Sequence, residues 1–218
     1  MPEIAFMVRK QTPLPRLMIV SSGEEHRSLQ GLALRQAEAL GCSAPVVYQL
    51  REKGLDAGEL EALCRQIVPA IKATGSLFTV NERFDIALTS KASGVHLPEA
   101  SCPPDAVRKA APSLIVGQSV HSAKAARAAT AAGLDYLLFG PVFQTPSKEP
   151  FGAPQGLERL REVCRATPLP VFAVGGITPE RSPSCIECGA WGVAAMRPFF
   201  DPETMPETIN LFLSYLPS

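Results

Sequence analysis

The sequence predicts a single-domain (β/α)8 barrel, the TIM-barrel architecture, and three observations carry that prediction. Eight short apolar runs, rich in β-branched residues and bounded by Gly or Pro, recur along the chain with helix-like stretches between them. Continuous apolar strands that alternate with helices mean a parallel sheet covered by helices. Within 218 residues no domain-boundary linker interrupts the eight units, which favours closure into one barrel. No G-x-G-x-x-G loop follows the first run, which weakens the doubly wound alternative.

Residues 1–13 read as a loose arm, and the barrel domain is expected over 14–218. The first run is PRLMIV (15–20), followed by the helix-like stretch SLQGLALRQAEAL (28–40). PVVYQL (45–50) enters from a proline and leads to AGELEALCRQIVPAIKA (57–73). SLFTV (76–80) and RFDIALTSK (83–91) form the third unit, GVHL (94–97) and PDAVRKA (104–110) the fourth. SLIVGQS (113–119) precedes SAKAARAATAAG (122–133), and YLLFG (136–140) precedes a long polar loop and LERLREVCRA (157–166). LPVFAVGG (169–176) ends in two glycines before TPERSPSCIECG (178–189). WGVAAM (191–196) and ETMPETINLFLSYL (203–216) close the set.

The composition, 46% hydrophobic and 19% charged, is that of an ordinary globular chain. The formal net charge is zero, so nucleic acid is not an expected partner and any anion site must be a local cluster. No apolar run approaches the roughly 20 residues that span a bilayer, and the first twenty residues lack a cleavable leader pattern. The expected location is cytoplasmic, with no membrane partner. Oligomeric state is left open. Six cysteines (42, 64, 102, 164, 185 and 188) are scattered, which does not suggest a disulfide framework. Cys185 and Cys188 form the only C-x-x-C. A zinc site needs two further ligands, and no second close pair is present, so they read as helix residues.

In such a barrel the active site lies where strands run into the following helices. The second strand leaves through VVYQLREKG, which sets Gln49, Arg51 and Lys53 at every second position. Strand side chains alternate faces, so the three share one face if the chain stays extended. The cations favour an anion, and Arg binds phosphate through two parallel hydrogen bonds. Other strand ends are polar too: Asn81 and Glu82, then His96, Glu99 and Ser101, then Ser119 and His121. The loop after the sixth strand carries Thr145, Ser147 and Lys148. AVGGIT offers a second anion site. There Gly175 and Gly176 let backbone N–H groups approach a phosphate, with Arg197 beyond the eighth strand to add a charge. His121, past a strand end between serines, is the better proton-transfer candidate. His96 reads as a packed strand or mouth residue, and His26 as a turn residue without a role. Two facing anion sites fit either a pair of substrates or one substrate with two phosphates.

The segments QLREKG, VNERFDIAL, GVHLPE, SVHS, DYLLFGPVFQTPSK, PVFAVGGIT and GAWGVAAM, in this order, resemble the thiamin phosphate synthase/TenI superfamily over nearly the whole chain. The resemblance implies an enzyme of thiamin biosynthesis. Its main activity is a transferase reaction that joins hydroxymethylpyrimidine diphosphate to a thiazole phosphate with release of diphosphate, assisted by Mg²⁺. Carried over by position, Gln49, Arg51, Lys53, Asn81 and Lys148 would hold the pyrimidine and its diphosphate. Ser119, Thr145 and Ser147 would line the space between substrates, and Gly175 and Gly176 would take the thiazole phosphate. The sequence departs from the synthase pattern where two Asp usually serve Mg²⁺: Glu82 and Ser101 stand there. Arg197 stands where Ser is usual. Glu82 remains an oxygen ligand for a hard cation, whereas Ser101 is a poor one, with Glu99 nearby as its candidate substitute. A TenI-type thiazole tautomerase, with His121 as acid/base and no Mg²⁺, is the alternative. A non-catalytic protein that binds thiamin precursors or regulates a partner is a second.

Overall fold

A computed structural model describes residues 14–21, 31–42, 44–145 and 153–217. The arm over 1–13, His26, Ser147 and Lys148 lie outside the described residues. Eight strands form one closed parallel barrel in sequence order, with β8 pairing back to β1. They are β1 (Leu17–Val20), β2 (Val47–Leu50), β3 (Leu77–Asn81), β4 (Gly94–Leu97), β5 (Ile115–Val120), β6 (Tyr136–Phe139), β7 (Val171–Val174) and β8 (Gly192–Ala195). The helices between and after them are α1 (Leu32–Ala39), α2 (Ala57–Ala73), α3 (Phe84–Thr89), α4 (Pro104–Ala110), α5 (Ala123–Ala131), α6 (Gly156–Arg165), α7 (Ser182–Glu187) and α8 (Met205–Ser214). Each of the eight apolar runs coincides with one strand, β3 and β5 running one residue beyond theirs, to Asn81 and Val120. Among the described residues no helix is long and apolar enough to cross a membrane.

Strand alternation divides the apolar residues between two cores. Leu17, Ile19, Tyr48, Leu50, Leu137 and Phe139 point outward and pack under the helices. Met18, Val20, Val47, Leu138, Phe172 and Ala194 point inward and fill the barrel. Because both faces are buried, the strands read as continuous apolar runs. The few buried polar groups of the outer layer are paired, as burial demands. Tyr48 Oη donates to Gln36 Oε1 at 2.6 Å, and Gln36 Nε2 donates to the Phe199 carbonyl at 2.6 Å. These bonds tie α1 and the turn after β8 to β2.

At the N-terminal end of the barrel, Arg16 lies 4.2 Å from the Trp191 ring centroid and donates to the Trp191 carbonyl at 2.8 Å. Trp191 Nε1 donates to the Leu14 carbonyl at 3.0 Å. The segment leading into β1 is thus fastened to the segment leading into β8, where the sheet closes. At the C-terminal end the loops leave the barrel open, and there α2 starts from a reciprocal cap. Asp56 Oδ1 accepts the Glu59 N–H and Glu59 Oε2 accepts the Asp56 N–H, each at 2.9 Å. This cap ends the chain segment that carries Arg51 and Lys53.

Candidate active site

The C-terminal ends of the strands surround a cavity of about 800 Å³. Its floor is the last inward-facing layer of the barrel, and that layer is divided. Gln49, Asn81, His96 and Ser119, from β2 to β5, are polar. Leu138, Val174, Ala194 and Val20, from β6 to β8 and β1, are apolar. A ligand seated here meets hydrogen-bonding groups on one side and hydrocarbon on the other.

Alternation continues past the end of β2. Gln49, Arg51 and Lys53 all line the cavity, while Leu50 and Glu52 turn away and are buried. Glu52 is held there by Ser21, whose Oγ donates to Glu52 Oε1 at 2.5 Å and accepts the Arg51 N–H at 2.8 Å. Ser21 thereby locks the exit of β2 against the exit of β1 and fixes which way Arg51 points. The Arg51 guanidinium makes no hydrogen bond or ion pair among the described residues. Gln49 is 2% exposed; its Nε2 donates to Asn81 Oδ1 at 3.3 Å, and its Oε1 has no partner. A buried acceptor left unpaired costs about 1–3 kcal/mol, so this oxygen awaits a donor from a ligand.

The loop after β7 forms the opposite wall. Gly175 and Gly176 have φ of 96° and 65°, values that favour glycine. A Cβ on Gly176 would come within 2.5 Å of the Gln144 carbonyl oxygen. Their carbonyls are engaged: Gly175 O accepts the Phe143 N–H at 2.9 Å, and Gly176 O accepts Arg181 Nη1 at 2.7 Å. Their N–H groups donate to no backbone carbonyl among the described residues, so they remain for a ligand. Arg197 and Thr145 also line the cavity.

Arg181 escaped the reading from strand ends. It comes from the turn Pro179–Arg181 and lines the same wall, with its guanidinium 5.0 Å from the Phe143 ring centroid. Its only sequence signal is a cation five residues past the double glycine. Arg51, Lys53, Arg181 and Arg197 therefore supply four permanent cations to the lining, and no described lining residue is Asp or Glu. A chain of zero net charge thus concentrates positive charge where the strands end.

His121 lines the mouth, and its Nδ1 lies 2.6 Å from Glu99 Oε2. That contact orients the ring and leaves Nε2 as the free position. His96 is 2% exposed and lies between Tyr136 and Ser119. Burial, and next the charge of Arg51, lower its pKa to about 3. The ring is uncharged at neutral pH. Glu82 follows Asn81 with φ 65°, is exposed, and is not among the lining residues; Ser101 is not either. Among the described residues no three His, Cys, Asp or Glu side chains cluster to hold a metal. Cys185 and Cys188 are buried free thiols in and just after α7, and burial pushes the Cys185 thiol up to about 12.

The family model described as thiamine monophosphate synthase matches residues 17–199, from the first strand to the turn after the last. The chain belongs to that family. A thiamine-phosphate synthase of Moorella thermoacetica is 40% identical over 164 residues, which are 75% of this chain and 77% of that relative. A thiamine-phosphate synthase of Methanocella arvoryzae is 39% identical over 159 residues, 72% and 74% of the two chains. The solved thiamine phosphate pyrophosphorylase of Pyrococcus furiosus superposes with a TM-score of 0.78 at 26% identity, covering 92% of this chain and 94% of that one. The chain is an enzyme of this family, whose named synthases are transferases, and its cavity sits at the family barrel's C-terminal mouth.

Proposed function

We propose that the protein couples hydroxymethylpyrimidine diphosphate to a thiazole phosphate and releases diphosphate. The observation that carries this reading is the cavity of about 800 Å³ lined by four cations and no described carboxylate, polar on one side and apolar on the other. That volume suits two small ligands. Gln49 Oε1 accepts from the pyrimidine amino group, and Asn81 lies beside it. Arg51 and Lys53 hold the diphosphate, and the family resemblance assigns Lys148, outside the described residues, to the same group. The unspent N–H groups of Gly175 and Gly176 hold the thiazole phosphate with Arg197 and Arg181. Ser119 and Thr145 lie between the two ligands, and the family resemblance gives Ser147, outside the described residues, the same role.

In the reaction the bond between the pyrimidine methylene carbon and the diphosphate oxygen breaks, and its electron pair leaves with the diphosphate. The thiazole nitrogen lone pair then forms the new C–N bond to that carbon. Negative charge accumulates on the departing oxygen, so preorganised cations there lower the barrier. The floor holds both reactants in reach of each other, which removes much of the entropic cost of the encounter.

The family resemblance also implies Mg²⁺. Magnesium takes near-octahedral oxygen ligands, usually including one or two protein carboxylates. Glu82 is the only carboxylate at the two expected positions, and Glu99, the nearby substitute, is engaged by His121; neither is among the cavity lining residues. The described donor set does not fit the ion, and charge neutralisation is assigned to the protein's own cations.

A second reading, thiazole tautomerase, is favoured by one observation: the His121–Glu99 contact at 2.6 Å orients an imidazole for proton transfer at the mouth. Assaying the coupling reaction and the tautomerisation side by side, each with and without Mg²⁺, tests both. Coupling is the expected product. Isomerisation alone would replace the first reading, and ligand binding without any product would make the protein a non-catalytic binder.

A further inference from the structure

In the cavity floor and just beneath it, three side chains from adjacent strands form a chain of polar contacts. His96 Nδ1 lies 3.1 Å from Tyr136 Oη, and His96 Nε2 lies 2.9 Å from Ser119 Oγ. Tyr136 is fully buried and His96 is 2% exposed; Ser119 reaches the cavity. The connection crosses a strand. His96 on β4 is in register with Gly117 on β5, which is in register with Tyr136 on β6. A Cβ at position 117 would overlap the Tyr136 ring. Glycine at this point is what allows the phenol to pass β5 and meet the imidazole, whose ring it stacks against at 5.6 Å.

The contacts select a tautomer. An uncharged imidazole has one N–H and one lone pair. The Tyr136 phenol is buried and remains protonated, since burial raises its pKa, and a buried O–H needs an acceptor. Thr79 Oγ1 also faces the phenol but makes no hydrogen bond of good geometry, whereas His96 Nδ1 lies at 3.1 Å. His96 Nδ1 is within reach and, as a lone pair, accepts the phenol proton. The ring proton then resides on Nε2 and is donated to Ser119 Oγ. With its oxygen already accepting, Ser119 has its own O–H free to turn into the cavity. The opposite tautomer would consume the serine proton and present lone pairs to an anion.

We infer that Tyr136 and His96 are positioning residues that hold Ser119 as a hydrogen-bond donor toward an anionic group of the ligand. The inference rests on the proposed function only for the identity of that group, a diphosphate. The relay itself is a property of the ligand-free protein.

Two measurements test it. Long-range ¹⁵N–¹H spectra of the wild-type protein at pH 7 should show His96 protonated at Nε2. The Nδ1–H form would overturn the inference, and this measurement needs no variant to fold. Calorimetric titration with inorganic diphosphate should show about tenfold weaker binding in Ser119→Ala and in Tyr136→Phe, the size of one hydrogen bond to a charged group. The double variant should be no weaker than Ser119→Ala, because Tyr136 acts through the serine. Additive losses in the double variant would make Tyr136 merely structural and sink the relay. If the wild type binds no inorganic diphosphate, the proposed function loses its support, and the tautomer spectrum decides the relay by itself.

Discussion

Arg51 illustrates how a single side chain is prepared for work. It leaves β2 on the cavity side, its backbone N–H is held by Ser21, and its guanidinium has no partner among the described residues. Arg51→Ala should raise the barrier of the coupling reaction by about 2–4 kcal/mol, a loss of roughly 30- to 1,000-fold in kcat/KM. Steady-state kinetics with the pyrimidine diphosphate checks this, and a wild-type rate would remove Arg51 from the diphosphate site. His121 and Lys148 separate the two chemistries. For a tautomerase, a positioned acid/base contributes about 10²–10⁴, so His121→Gln should nearly abolish isomerisation. For a synthase the demand is electrostatic, so Lys148→Ala should cost much and His121→Gln little. Loss of isomerisation with Lys148→Ala silent would promote the tautomerase. Not every residue of the site was legible in the sequence. The Gln49, Arg51 and Lys53 stripe was, because period-two alternation persists past the strand end. Glu52 was not: it sits between two cations in the sequence, and its partner Ser21 is 31 residues away.

At the scale of elements, the barrel strands could be found because each is buried on both faces and therefore written in uninterrupted apolar residues. Their ends were harder to place. The run over 169–176 contains a strand only from Val171 to Val174, because Gly175 and Gly176 adopt left-handed φ and turn the chain. Arg181 was hidden for a related reason, since it projects from a helical turn and not from a strand. Contacts between elements leave no mark in a single sequence, and Gly117 shows this. Its glycine reads as a break in SLIVGQS, yet its cause is the Tyr136 ring arriving from the next strand. Gly117→Ala should destabilise the fold by about 1–3 kcal/mol, the usual cost of overpacking a filled core. Urea titration measures it. An unchanged midpoint would show that the ring moves aside freely.

For the whole molecule, the buried neutral His96 couples folding to pH. Its folded pKa of about 3 lies below the ordinary histidine value of 6.5. Between these values the unfolded chain takes up a proton that the folded protein refuses. Stability is therefore full above about pH 6.5 and falls as the pH drops toward 3. The integrated loss is on the order of 4–5 kcal/mol, large against the roughly 5–15 kcal/mol that holds a domain together. Between pH 7 and pH 4 the loss should reach about 3 kcal/mol, read from urea midpoints, and His96→Gln should flatten that difference. Equal slopes in both proteins would assign acid sensitivity to other groups.

The chain has one tryptophan, and Trp191 sits at the closed end of the barrel, beneath Arg16 and bonded to Leu14. That position makes it a built-in optical gauge of the seam between β1 and β8. Its emission should shift when the seam opens on denaturation. It should stay nearly silent when phosphate ligands fill the far mouth, so a fluorescence melt follows barrel closure without interference from occupancy.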